Sequence, residues 1–300
     1  MYGYNVIANQ KCQFLVYEYL SNGSLATFLK DENGRTRLPS HVRISIMFQL
    51  VRSVHFLHTG GCDNLVVYHR DIKSGNICLT QDYTAKLIDC GLAKFVPDTT
   101  RDAAQRSITP TMLKSSRSVV FGTPGYICPV YARGHIQYTV ACDIFSIGVV
   151  LAELIVGSLQ NGQLSAYSLS DFFSRYIKDE DDEPIENGWE ILMQDADLLA
   201  QWNDAILERL CKLAVQCMTA SPKRRISTLS LIHCLSEISL CDFTTESADM
   251  GNASVANEWA CIMSDEIEWN RTDDFAIELK QNCVLCNRAR SEERRVGKEC

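Results

Sequence analysis

The sequence predicts an α+β fold dominated by helices, on three observations. Val42, Ile46, Leu50, Val54 and Leu57 recur at spacings of three and four, which lines one face of a helix. Ile144 to Gly157, IFSIGVVLAELIVG, is apolar but shorter than the ~20 residues a bilayer span needs, and it carries Glu153, so it reads as a buried core helix. Short stretches of β-branched and aromatic residues, such as QFLVYEY over 13–19, read as buried strands between turn-forming residues.

In chain order, SNGSL turns the chain after that first strand, and a short helix follows from Ser24 to Lys30. DENGRTRLPS is a loop. The amphipathic helix comes next, with Ser40 as its expected cap and Gly60-Gly61 as its stop. Short strands are expected near Val66, Ile77 and Lys86. Residues 92–127 are rich in Ser and Thr without periodicity and read as one long loop. Helices return at about 140–156, 169–177, 203–218 and 226–239, and periodicity fades after Leu240.

The 300 residues include 46% hydrophobic and 22% charged side chains, enough for a sizeable core. The net charge of −8 argues against nucleic acid or an anionic membrane as the main partner. The acidic run KDEDDE (Lys178 to Glu183) reads as a solvated loop. The N-terminus lacks a basic start followed by an apolar stretch, so no signal peptide is expected. Most of the 14 cysteines, among them Cys211, Cys217 and Cys234, sit singly in apolar patterns, as reduced buried thiols of an intracellular protein do.

The chemistry concentrates in five segments. HRDIKSGN supplies His69, Arg70, Asp71, Lys73 and Asn76; DCG (Asp89, Cys90, Gly91) follows Asn76 by thirteen residues. GTPGYICPV spans Gly122 to Val130, ACDIFSIGVVLAELIVG contains Asp143, and SPKRRIS contains Arg225. In this order the segments resemble the protein kinase family over roughly residues 1–240. The resemblance implies a protein-kinase-like fold, mostly the α-helical large lobe with the hinge and last strands of the small lobe. It also implies transfer of the ATP γ-phosphate to protein hydroxyls. Asp71 would orient the acceptor hydroxyl, Lys73 would reach the transferring phosphate, and Asn76 and Asp89 offer the hard oxygens that suit Mg²⁺. Lys73 and Thr123 mark the Ser/Thr type. His69, Cys90, Gly91, Asp143 and Arg225 are expected to be structural.

Arg70 before the catalytic Asp implies control by a phosphorylated loop, with Thr109, Thr111, Ser115, Ser116 and Ser118 as candidate acceptors and Thr123 grouped with them. LVYEYLSNGSL resembles the hinge of the Pelle and interleukin-receptor-associated kinases and of plant receptor-like kinases. That resemblance places Tyr17 at the gate of the adenine pocket, and Glu18, Tyr19, Leu20 and Leu79 against adenine. It suggests a death-domain adaptor or receptor complex as partner, and a cytoplasmic protein recruited to membrane receptors.

Three departures qualify the resemblance. Before His69 no glycines form G-x-G, the lysines are Lys11 and Lys30, and the glutamates are Glu18 and Glu32, so the expectation is a chain that lacks most of the small lobe. Cys90 replaces the usual Phe. Val130 replaces the Glu that pairs with an arginine, here Arg225; losing one partner of a buried pair costs about 3–5 kcal/mol. A kinase-derived scaffold that binds signalling partners through the large lobe therefore stays open as the alternative. Residues 241–289 form an irregular tail in which Cys283 and Cys286 (CVLC) suggest the start of a zinc module. RSEERRVGKEC (290–300) resembles a translated sequencing adapter.

Overall fold

Apolar side chains on nearly every face of two helices decide the architecture. In the computed structural model, which describes residues 3–7, 12–16, 18–30, 37–59, 65–97, 120–156 and 202–250, these two helices form the centre. Strands β1 (Gly3–Ile7) and β2 (Cys12–Val16) pair antiparallel, Gly3 opposite Val16. Helix α1 (Leu25–Lys30) buries Leu25, Phe28 and Leu29, and α2 (Ser40–His58) follows. Strands β3 (Leu65–Tyr68), β4 (Ile77–Leu79), β5 (Ala85–Leu87) and β6 (Lys94–Pro97) form two further antiparallel pairs, β3 with β6 and β4 with β5. Helices α3 (Pro129–Ala132), α4 (Val140–Val156), α5 (Asp204–Met218) and α6 (Thr228–Met250) complete the described chain.

Helix α4 is apolar all round and is buried all round, as such a helix must be. It packs on α2 and α5. Gly148 allows the close α4–α5 crossing: a Cβ there would lie 2.6 Å from Cys217 Cβ and 3.1 Å from the Ala214 carbonyl. The last carbonyls of α4 lack partners within the helix. Arg43 NH1 donates to Leu154 O at 3.1 Å, and Trp202 Nε1 donates to Ile155 O at 3.0 Å. Both donors are buried, so α2 and the entry to α5 are fixed to the same helix end.

Helix α2 buries Ile46, Leu50 and Val54 as the spacing requires, and also Ile44, Met47, Phe48 and Val51, because α4, α6 and the β3 and β5 strands surround it. Its start corrects one expectation. Pro39, not Ser40, occupies the N-cap position, and no side chain caps the helix; the fixed φ of proline (−62°) sets the entry instead. Asn203 and Ser227 do cap their helices, accepting from Ala205 N and Ser230 N at 3.0 Å each.

Two further differences concern boundaries. The stretch read as one loop over 92–127 contains β6, whose pairing with β3 comes from long-range register and not from its own pattern. Helix α6 continues to Met250, past the point where apolar periodicity fades; no Gly or Pro interrupts it before Gly251. The 169–177 helix, Tyr17, Gly60-Gly61, the acceptors Thr109, Thr111, Ser115, Ser116 and Ser118, Cys283 and Cys286, and 290–300 lie outside the described residues. Among the described residues no helix is long and apolar enough to cross a membrane.

Candidate active site

The segment 68–76 carries polar residues that cannot pack as core, so its shape is imposed from outside. Asp143, in the first turn of α4, is fully buried. Its carboxylate accepts from His69 N at 3.0 Å, Arg70 N at 3.0 Å, His58 Nε2 at 2.8 Å and the Tyr138 hydroxyl at 2.6 Å. Burial alone would raise its pKa, but the His58 and Tyr138 bonds outweigh burial and hold it below the ordinary aspartate value. These bonds sustain Arg70 in the left-handed region, φ 70°, which costs a non-glycine residue on the order of 1–3 kcal/mol. The His69 ring is buried and neutral, its pKa lowered mainly by burial. Its Nδ1 accepts from Asp71 N at 3.4 Å, so Nε2 carries the proton and donates to Ile88 O at 3.2 Å. His69 and Asp143 thus hold the shape of this segment.

This scaffold presents Asp71. Lys73 Nζ donates to Asp71 Oδ2 at 2.8 Å, Asn76 Nδ2 to the same oxygen at 3.0 Å, and the Thr123 hydroxyl to Oδ1 at 2.6 Å. Lys73 Nζ also reaches Thr123 Oγ1 at 2.8 Å. Burial pushes the Asp71 carboxyl up, yet the Lys73, Thr123 and Asn76 bonds together keep it below its ordinary value. Asp71 is therefore ionised at neutral pH and a weak base, suited to orienting a hydroxyl. Thr123 belongs to this cluster, 52 residues from Asp71 in sequence, which corrects its grouping with the regulatory acceptors.

Asp89 comes to the same place through the backbone: Ile88 N donates to Asn76 O at 2.9 Å. Asp89 is left-handed, φ 62°, and accepts from Gly91 N at 3.3 Å, with its carboxylate at the exposed surface. Asn76 spends its amide nitrogen on Asp71, which leaves its Oδ1 uncommitted among the described residues. One amide oxygen and one carboxylate on adjacent backbone segments make a hard-oxygen pair that fits Mg²⁺. Among the described residues no group of three His, Cys, Asp or Glu is placed to hold a metal, so such an ion would complete its shell from elsewhere.

The residues expected against adenine divide. Glu18 pairs with Lys86 through its carboxylate, Tyr19 is 87% exposed, and Leu20 is half-buried. Leu79 is fully buried in the core beside Ile77, which corrects its assignment to the ligand. Strand alternation turns Cys78 to the opposite, partly exposed face; reading β4 with period two would have found it.

Arg70 lies over Phe121, 4.6 Å from the ring centroid, with its Nε buried and without a hydrogen-bond partner among the described residues. Among the described residues Arg225 has no carboxylate partner; it donates to Thr219 O, Ala141 O and Cys128 Sγ at 2.9, 2.7 and 3.2 Å. Cys90 begins the 3-10 turn Cys90–Leu92 and, with His69 and Leu87, lines an open cavity of about 410 Å³ beside α2. A neighbouring cluster escaped the sequence reading. Glu153 accepts from Tyr126 at 2.7 Å and Ser74 at 3.1 Å, and its Oε2 has no partner among the described residues. Burial pushes its pKa up to about 7. The signal was present: Glu153 is the one charged residue in the apolar run Ile144 to Gly157.

Comparison with known proteins agrees with this geometry. The chain is 31% identical over 244 residues to wall-associated receptor kinase-like 21 of Arabidopsis thaliana, covering 80% of this chain and 36% of the relative. It is 31% identical over 237 residues to the leucine-rich repeat receptor-like serine/threonine/tyrosine-protein kinase SOBIR1 of the same plant, covering 77% and 33%. It is 32% identical over 229 residues to calmodulin-binding receptor-like cytoplasmic kinase 2, also of that plant, covering 75% and 49%. The chain thus spans between a third and a half of the length of these relatives. The protein kinase domain family matches residues 2–235, and the chain belongs to the protein kinase family.

Proposed function

We propose that this chain carries the phosphoryl-transfer machinery of a Ser/Thr protein kinase acting in intracellular signalling. The observation that supports the reading is the convergence of Lys73, Asn76 and Thr123 on the Asp71 carboxylate, with Asp89 tied beside Asn76. Phosphoryl transfer asks the protein mainly to position groups and neutralise charge. Asp71 orients the substrate hydroxyl and takes its proton as the bond to phosphorus forms. Lys73 supplies positive charge where the transferring phosphoryl passes. Asn76 Oδ1 and the Asp89 carboxylate would hold Mg²⁺, which neutralises nucleotide phosphate charge when bound. Backbone groups of Glu18, Tyr19 and Leu20 would meet the base, with Cys78 taking the place expected of Leu79. Arg70 would pair with a phosphorylated acceptor in the loop before Gly122.

The names of the relatives support a cytoplasmic kinase working with a membrane receptor complex, and the death-domain adaptor is not carried forward. One observation favours the scaffold reading: among the described residues Arg225 lacks the carboxylate expected to anchor an activation segment. Fusion separates the two. The full chain is joined behind the small lobe of one of these relatives and assayed with ATP, Mg²⁺ and a generic Ser/Thr protein substrate. Kinase function predicts transfer that is lost in D71A. A fusion that transfers nothing, while the relative's own large lobe is active in the same format, overturns it in favour of the scaffold.

A further inference from the structure

Arg225 is an unusual cation. It is only 8% exposed, its charged end lies 5.1 Å from the Phe145 ring, and its NH2 nitrogen has no partner among the described residues. Two of its contacts there are carbonyls, Thr219 O and Ala141 O, and none is a carboxylate. A buried guanidinium without an anion is strongly disfavoured. The remaining contact is Cys128 Sγ, 3.2 Å from NH1. Cys128 and Cys142 are both buried, 1% and 0% exposed, and the same Arg225 NH1 that meets Cys128 Sγ donates to the carbonyl of Ala141, the residue before Cys142, at 2.7 Å. Cys128 immediately precedes α3, at the end of the segment that begins at Gly122, and Cys142 lies in the first turn of α4. Cys217 also lies near the guanidinium but is pushed well up by burial.

We infer that Cys128 is the thiolate counter-ion of Arg225 and a redox modification site, with Cys142 as its resolving thiol. This goes beyond phosphoryl transfer and does not rest on it. The chemistry balances with a hydroperoxide as oxidant. The Cys128 thiolate attacks the peroxide O–O bond, giving a sulfenic acid and releasing hydroxide from hydrogen peroxide. Cys142 then attacks the sulfenic sulfur, the S–S bond forms, and its thiol proton leaves with the hydroxyl as water. The anion beside Arg225 is consumed, so oxidation leaves the guanidinium unpaired where the 122–130 segment meets α4. The neighbouring Cys142 and the Arg225 charge beside it hold the Cys128 thiol below the usual thiol range, which favours the first step. Hydrogen peroxide is small enough to reach a buried sulfur through local opening.

The test uses the folded full chain. It is treated with hydrogen peroxide with and without dimedone, alkylated, digested and read by mass spectrometry. The expected result is a Cys128–Cys142 linked peptide, lighter by two hydrogens. C142S should lose that link and carry dimedone on Cys128; C128S should show neither. Recovery of both residues as alkylated thiols, dimedone on Cys142 in place of Cys128, or linkage of either residue to a different cysteine would overturn the inference. None of these readouts depends on kinase activity.

Discussion

The Thr123 hydroxyl donates to Asp71 Oδ1 at 2.6 Å, closing a triangle with Lys73. It holds the carboxylate on the side away from Asn76. In the fusion assay, Thr123→Val should lower kcat by about 10- to 100-fold, since small misplacement of a positioned group costs that much. Thr123→Ser should restore most of the rate. Equal rates for Val and wild type would mean that the bond positions nothing.

Asp143 is the anchor whose loss should be felt most widely. Asp143→Ala strands the buried His69 and Arg70 amides, with an expected loss of about 3–5 kcal/mol in urea unfolding. The pH dependence follows from its lowered folded pKa. Its stabilisation is fully present above the ordinary aspartate value and is lost as pH falls through the folded value. Asp143→Asn should flatten that acid limb, and an unchanged limb would assign the acid sensitivity elsewhere.

Glu153 has the opposite sign. Its folded pKa, about 7, lies above the ordinary value of 4.5, so its contribution is fully present below 4.5 and is lost as pH rises through 7. A shift of that size amounts to something on the order of 3–4 kcal/mol. Thermal unfolding between pH 4.5 and 7 should show this decline in wild type and a shallower one in Glu153→Gln.

Gly148 sits where α4 and α5 nearly touch. Gly148→Ala places a Cβ 2.6 Å from Cys217 Cβ and 2.8 Å from Met218 Cγ, and the expected cost is about 1–3 kcal/mol of stability by denaturant titration. Adding Cys217→Ala leaves a Cβ in the way, so it should not rescue the variant.

The cluster around Asp71 was legible because His69 to Asn76 is one short stretch, and because α2 and α4 advertise their burial by pattern. Long-range geometry was less so. Thr123 reads as one more hydroxyl in a Ser/Thr-rich loop until folding sets it against Asp71. Residues 94–97 carry no strand signature apart from the β3 edge they meet. Leu79 and Cys78 differ only in which face of a three-residue strand they occupy. The Arg225 environment was half legible: Val130 announced a missing carboxylate, but the approach of Cys128 depends on how α3 meets α4.

Arg70 keeps its left-handed backbone through a carboxylate 73 residues later in the chain. The turn that precedes Asp71 is therefore held from outside its own stretch of chain, by the first turn of α4. Local opening that frees the start of α4 would release Arg70 and the Asp71 cluster beside it while the packing of α2 is still intact.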